Sequence, residues 1–194
     1  MTKIKFYRQD EVPYGIFSNF AKGYPIMVDG VEFPTTEHYF QAMKFPDNSE
    51  IRERIRTAGW AGHTKEIVRE HDDLFHHEWW RENRDSVMMG ALWAKFTQHK
   101  EAAGLLLATG TAELVEHTDQ DRYWADGGDG TGQNMLGRML MQIREELPKL
   151  LAQRGDQRPG FFYEIPLDYE LEVWCPECGS RGAFYETYDD DLPG

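Results

Sequence analysis

Cysteine is nearly absent from this chain. The 194 residues contain two, Cys175 and Cys178, too close together to staple a fold, so a domain of this size must be held by burial rather than by disulfides. Long apolar runs are missing as well. No segment approaches the roughly 20 consecutive apolar residues of a membrane helix. No apolar stretch precedes the polar start Met1-Thr2-Lys3-Ile4-Lys5, which predicts a cytoplasmic protein with no membrane partner. Basic residues are scarce beside acids, 21 against 34, for a net charge of −13. That excess opposes sequence-independent binding to a phosphate backbone, whose affinity comes from Lys and Arg displacing counterions.

What is present is hydrophobic periodicity. Ile4 and Phe6 alternate with lysines as in a half-buried strand. Asp29-Gly30 stands between two β-prone runs, Ile26-Met27-Val28 and Val31-Glu32-Phe33, a strong hairpin signal. Pro34 stops the hairpin, and Thr35 or Thr36 can cap a helix from Glu37 to about Phe45. Helical segments follow near Glu50 to Thr57, Thr64 to Glu70, Glu78 to Phe96 and Glu101 to Leu107. Leu136, Leu140, Ile143, Leu147 and Leu150 recur at helical spacing and predict a last helix from Met135 to Ala152. The reading is mainly α with a small β element over residues 1–152, a linker over 153–160, and an acidic, short β-rich appendage over 161–194.

The most site-like stretch runs from Glu116 to Asn134. Glu116, Asp126 and Asp129, the aromatic pair Tyr123-Trp124, four glycines within six residues and the amide of Asn134 are too polar and glycine-rich for core. The glycines Gly127, Gly128, Gly130 and Gly132 match neither the dinucleotide nor the P-loop fingerprint. On the helix after Pro34, Glu37, Gln41 and Lys44 share one stripe, either a solvated face or the wall of a cleft that offers an acid, an amide and an amine together. Phe17-Ser18-Asn19-Phe20 is either an anchored turn or a clamp on a planar base. The Trp79-Trp80 pair reads as core packing. Adjacent His76 and His77 are poorly spaced to chelate one ion. Cys175-Pro176-Glu177-Cys178-Gly179 resembles one knuckle of a structural zinc site, whose other two ligands would come from elsewhere or from a second chain through self-association of the appendage.

Taken in order, Phe17-Ser18-Asn19-Phe20, Pro34 through Phe45, Lys95-Phe96, Leu114 through Thr118, Tyr123 through Gly127 and Gly130 through Arg138 resemble the NADAR family, also called YbiA-like, over residues 3–152. The resemblance implies a mainly helical YbiA-like fold and hydrolysis of N-glycosidic bonds, with ribosylamino-pyrimidine phosphates of the early riboflavin pathway as substrates. In some members it implies removal of ADP-ribose from guanine, the one way nucleic acid enters as a partner.

The residues suit that chemistry without a catalytic cofactor. Breaking a C1–N bond builds positive charge on the ribose, so a carboxylate from Glu37, Asp126 or Glu116 can stabilise it and activate water. Glu37 and Asp126 rank first. Lys44 or His117 can protonate the leaving base, or Lys44 can attack a ring-opened ribose as an amine. Phe20 and Trp124 would stack on the base, with Ser18, Asn19, Gln41 and Tyr123 as further contacts. Amides of the Gly130, Gly132 and Asn134 loop would hold the phosphate at a helix N-terminus. A rival reading keeps the pocket but not the chemistry, a sensor that binds ADP-ribose or NAD.

Overall fold

Alternating burial at the start of the chain makes the first strand, with Ile4 and Phe6 inward and Lys3 and Lys5 outward (β1, Lys3–Phe6). The computed structural model describes residues 2–153, 172–174 and 181–183. The Asp-Gly signal gives the expected hairpin, β2 (Ile26–Val28) against β3 (Val31–Phe33), with Ile26 opposite Phe33. Asp29 and Gly30 take φ of 50° and 78°, the two positive values that a tight two-residue hairpin turn requires.

Helix α1 (Thr36–Ala42) starts where the threonines place it. The Thr35 hydroxyl accepts from the His38 N–H, and His38 Nε2 donates to the Ala58 carbonyl at 3.1 Å. The helix ends at Ala42, three residues before the expected Phe45. Phe45 precedes a proline, which disfavours helical geometry, and the Lys44 and Phe45 amides turn instead to the carbonyls of Gln41 and Ala42. The remaining helices follow their periodicities: α2 (Ser49–Arg56), α3 (Ala61–Glu70), α4 (His77–Gln98), α5 (Lys100–Ala108) and α6 (Met135–Gln153). One further strand, β4 (Glu113–Glu116), is absent from the sequence reading. It lies parallel to β1, with Ile4 opposite Leu114 and Phe6 opposite Glu116.

Helix α4 organises the interior. Met88, Leu92 and Phe96 join a core with Phe6, Phe17, Leu114, Leu136 and Leu140, while Ala91 on the next face joins Ile26, Phe45, Ile55 and Ile67. Helix α6 packs directly on β4, and Gly137 permits the approach, because a Cβ there would strike the Leu114 carbonyl. The architecture is mainly α with a small sheet. In the appendage, Glu172–Trp174 pairs antiparallel with Arg181–Ala183. Cys175 and Cys178, with the expected zinc, and most of the linker and appendage lie outside the described residues. Among the described residues no helix is long and apolar enough to cross a membrane.

Candidate functional site

A loop, helices α1, α3 and α4 and strand β4 converge on one cavity of about 710 Å³. The loop Ser18-Asn19-Phe20 leads into it and is held from behind. Lys95, 1% exposed on α4, donates its ammonium to the carbonyls of Ile16 and Ser18, and burial pushes its pKa down to about 7. From α1, the Thr36 hydroxyl and the Glu37 N–H both donate to the Asn19 carbonyl at 3.0 and 3.1 Å. The loop and the start of α1 are therefore one unit. From β4 comes Glu116.

Glu37 and Gln41, each 4% exposed, turn inward, so the polar stripe of α1 faces the cavity rather than bulk water. Gln41 Nε2 donates to Glu37 Oε1 at 2.7 Å, and Lys65 on α3 stands 3.6 Å from the same oxygen. Lys44 completes the stripe just past the helix. Its ammonium lies over the Phe75 and Trp80 rings at 5.2 and 5.4 Å, and burial lowers its pKa to about 8. Glu116 behaves in the opposite sense. Burial first, then repulsion from Asp121 and Glu37, raise its carboxyl to about 8, so it carries a proton at neutral pH. Aromatic walls complete the space. The Phe40 ring meets the edges of Trp80 and Trp124 at 4.6 and 5.4 Å, and Phe20 lies under the Lys65 ammonium. Trp80 thus serves both core and cavity.

Of the residues singled out from sequence, the cavity brings together Glu37, Gln41, Lys44, Glu116, Ser18, Asn19, Phe20 and Trp124. Asp126, His117, Tyr123, Gly130, Gly132 and Asn134 do not line it. Asp126 accepts from His117 Nδ1 at 2.8 Å and from the Gly128 N–H at 2.9 Å. Burial opposes these contacts, yet together they hold its carboxyl below the usual range. His117 is committed on its other nitrogen to Lys5.

The glycine loop is self-contained. The Gly130 and Gly132 amides donate to the Asp126 carbonyl, Asn134 to Ala125, Met135 to Tyr123 and Leu136 to Trp124. Amides already paired in this way are not free for a phosphate, which corrects the expectation placed on them. The same bonds explain why the segment is polar and glycine-rich without being a ligand cradle. A Cβ at Gly132 would collide with the Ala125 carbonyl.

Asn134 anchors Glu116 indirectly. At φ 50° its side chain accepts from the Glu116 N–H at 3.0 Å and donates to the Leu114 carbonyl at 2.8 Å, closing the end of β4. Asn134→Ala leaves both buried backbone groups unpaired and puts alanine in a left-handed conformation. We expect it to destabilise the fold by about 2 kcal/mol or more, measured as a drop in urea midpoint. An unchanged midpoint would remove this anchor from the account.

Sequence reasoning passed over the cations. Arg8, Lys65, Arg69 and Arg84 line the cavity with Lys44, five positive side chains gathered in an acidic protein. Arg84 on α4 is braced, its guanidinium 3.7 Å from the centre of the Tyr123 ring while the Tyr123 hydroxyl donates to Asp85 at 2.7 Å. Tyr123 therefore acts behind Arg84 rather than within the cavity. On α3 and α4 these cations carry the spacing of ordinary solvated faces, so only the tertiary arrangement reveals them.

The geometry has relatives. The family model for the NADAR domain matches residues 5–148. The N-glycosidase YbiA of Escherichia coli is 48% identical over 146 residues, covering 75% of this chain and 89% of that protein. An N-glycosidase of Nostoc punctiforme is 33% identical, covering 74% and 92%. A riboflavin biosynthesis protein of Vibrio vulnificus is 43% identical over 74% of this chain and 38% of its own length. The NMR structure of E. coli YbiA superposes with a TM-score of 0.71 at 44% identity, covering 81% of this chain and 92% of that one. The chain therefore belongs to the NADAR family, and it is an N-glycosyl hydrolase of the kind those relatives are named for.

Proposed function

We propose that the protein hydrolyses the C1–N bond of ribosylamino-pyrimidine phosphates, early intermediates of the riboflavin pathway. The observation that carries this reading is the pair Glu37 and Glu116 in one aromatic-walled cavity, one carboxyl beside an ammonium and the other protonated at neutral pH. Two carboxyl groups in such different surroundings divide the labour of glycoside cleavage. Glu37 faces the anomeric carbon, stabilises the positive charge that builds there and takes a proton from the attacking water. Glu116 donates its proton to the departing nitrogen. Water oxygen ends on C1, and the pyrimidine leaves as its free amine. The cavity has the size of a small-ligand site. Its cations, Arg84 foremost, suit a phosphate, and Phe20, Trp80 and Trp124 suit a flat base. The riboflavin biosynthesis name of the Vibrio relative favours the pyrimidine substrate over others with the same bond.

The lowered pKa of Lys44, about 8, favours a second route to the same products. A glycosylamine opens to an imine, the Lys44 amine adds to C1 and expels the pyrimidine amine, and water then releases the sugar from the lysine. This route needs neutral Lys44, so its rate rises with pH up to about 8. Borohydride added during turnover reduces the lysine–sugar imine to a stable adduct. A ribose-phosphate mass on Lys44 establishes this route, and turnover with an unmodified Lys44 establishes direct attack by water.

The substrate is tested by offering the purified protein 5-amino-6-ribosylaminouracil 5′-phosphate and an oligonucleotide bearing ADP-ribosylguanine side by side, with products read by mass spectrometry. The proposal expects the free pyrimidine and ribose phosphate. Release of ADP-ribose alone would replace it with the nucleic-acid reading.

A further inference from the structure

Among the described residues, two buried side-chain polar atoms have no hydrogen-bond partner, Gln41 Oε1 and Arg84 Nε. Both side chains line the same cavity. Buried polar atoms are paired in the great majority of cases; Arg84 Nε still faces the Asp85 carboxylate at 3.8 Å, so Gln41 Oε1 is the exception that points to a contact made by a ligand.

The acceptor is the more informative, because its orientation is determined. Gln41 Nε2 donates to Glu37 Oε1 at 2.7 Å. That oxygen also faces the Lys65 ammonium at 3.6 Å, so it stands as an acceptor, and turning the amide over would set oxygen against oxygen. Oε1 is therefore held beside the Glu37 carboxylate on the same hydrogen-bonded pair, one helical turn along α1 and 4% exposed as a residue. A group that satisfies it must carry a hydrogen. Hydroxyls and amines qualify, and position selects between them.

We propose that Gln41 Oε1 accepts a hydrogen bond from the glycosidic N–H of the substrate and thereby restricts the enzyme to glycosides whose anomeric carbon bears a secondary amine. The inference rests on the N-glycosidase reading above. If C1 lies at the Glu37 carboxylate, the next atom along the scissile bond lies at the neighbouring amide. In a ribosylamino-pyrimidine that atom is an exocyclic nitrogen with one hydrogen. In an ordinary nucleotide it is a ring nitrogen bonded to C1 and two ring carbons, with no hydrogen to offer. Bound in the same place, an ordinary nucleotide would leave Oε1 buried and unpaired. A site built around a substrate N–H rejects analogues that lack it far more strongly than shape alone permits. Gln41 is thus the residue that keeps an N-glycosidase from consuming the cell's common nucleotides.

The experiment is a cycle of substrate and side chain. The two substrates are a ribosylamino-pyrimidine 5′-phosphate and its counterpart methylated on the glycosidic nitrogen, compared as kcat/KM in the wild type, in Gln41→Met and in Gln41→Asn. The wild type is expected to prefer the N–H substrate by about 10- to 100-fold, the range for an orphaned buried acceptor. Both variants should reduce that preference to a few-fold. Losing the amide beside Glu37 slows both substrates alike and cancels in the ratio, and Gln41→Asn serves if Gln41→Met does not fold. A preference unchanged in the folded variants would overturn the role of Gln41 and leave the glycosidase reading standing. Turnover of neither substrate by the wild type would overturn both.

Discussion

Glu37→Gln is expected to lower kcat by about 10³-fold, within the range that positioned acid–base groups supply, with little change in melting temperature. The substitution keeps the shape of the side chain, and an amide can still present an oxygen to Gln41. What it removes is the carboxylate that the proposed mechanism sets against C1. The ion pair it breaks is with Lys65, whose side chain is nearly half exposed, so the stability cost should stay below about 1 kcal/mol. KM should change little, because the charge on the sugar develops in the transition state rather than in the bound substrate. Turnover assays read beside a thermal melt distinguish this from unfolding. A folded Glu37→Gln protein with near wild-type kcat would move the carboxylate role away from α1.

The second large effect lies at Glu116. With its pKa raised to about 8 by burial and by repulsion from Asp121 and Glu37, it is protonated below that value and ionised above it. As general acid it works only when protonated, so the rate should be level at neutral pH and fall toward tenfold per unit above about pH 8. Glu116→Gln should lower kcat by about 10²-fold and abolish that alkaline limb. Stability should move in the opposite direction. A glutamate ordinarily titrates near 4.5. Between about 4.5 and 8 the folded protein holds a proton that the unfolded chain has released, so wild-type stability declines as pH rises through that window. Glu116→Gln removes the decline, and its melting temperature at pH 8 should exceed that of the wild type. A slower enzyme with a firmer fold is the signature of a carboxyl buried for its chemistry.

Periodicity made the helices legible, and the Asp29-Gly30 turn made the hairpin legible, because both depend on neighbours in the chain. Strand β4 was not. Four residues that pair in parallel with the far N-terminus carry no local signal of their partner. The stripe Glu37, Gln41, Lys44 was visible as a candidate, but whether it met water or a cavity depended on α3, α4 and β4. The glycine loop shows the converse. Its composition suggested a ligand cradle, and its glycines and Asn134 instead serve the turn that binds β4 to α6. Lys65 and Arg84 carried no signal of a site until the fold brought Lys65 to Glu37 and Arg84 into the same cavity.

The measurement that bears most directly on the account is the rate at which the wild-type protein forms ribose 5-phosphate from 5-amino-6-ribosylaminouracil 5′-phosphate, followed from about pH 5 to pH 10. The account predicts catalytic turnover with equal amounts of free pyrimidine and sugar phosphate, declining above about pH 8 as Glu116 ionises. Absence of ribose 5-phosphate above the uncatalysed background at every pH would contradict it.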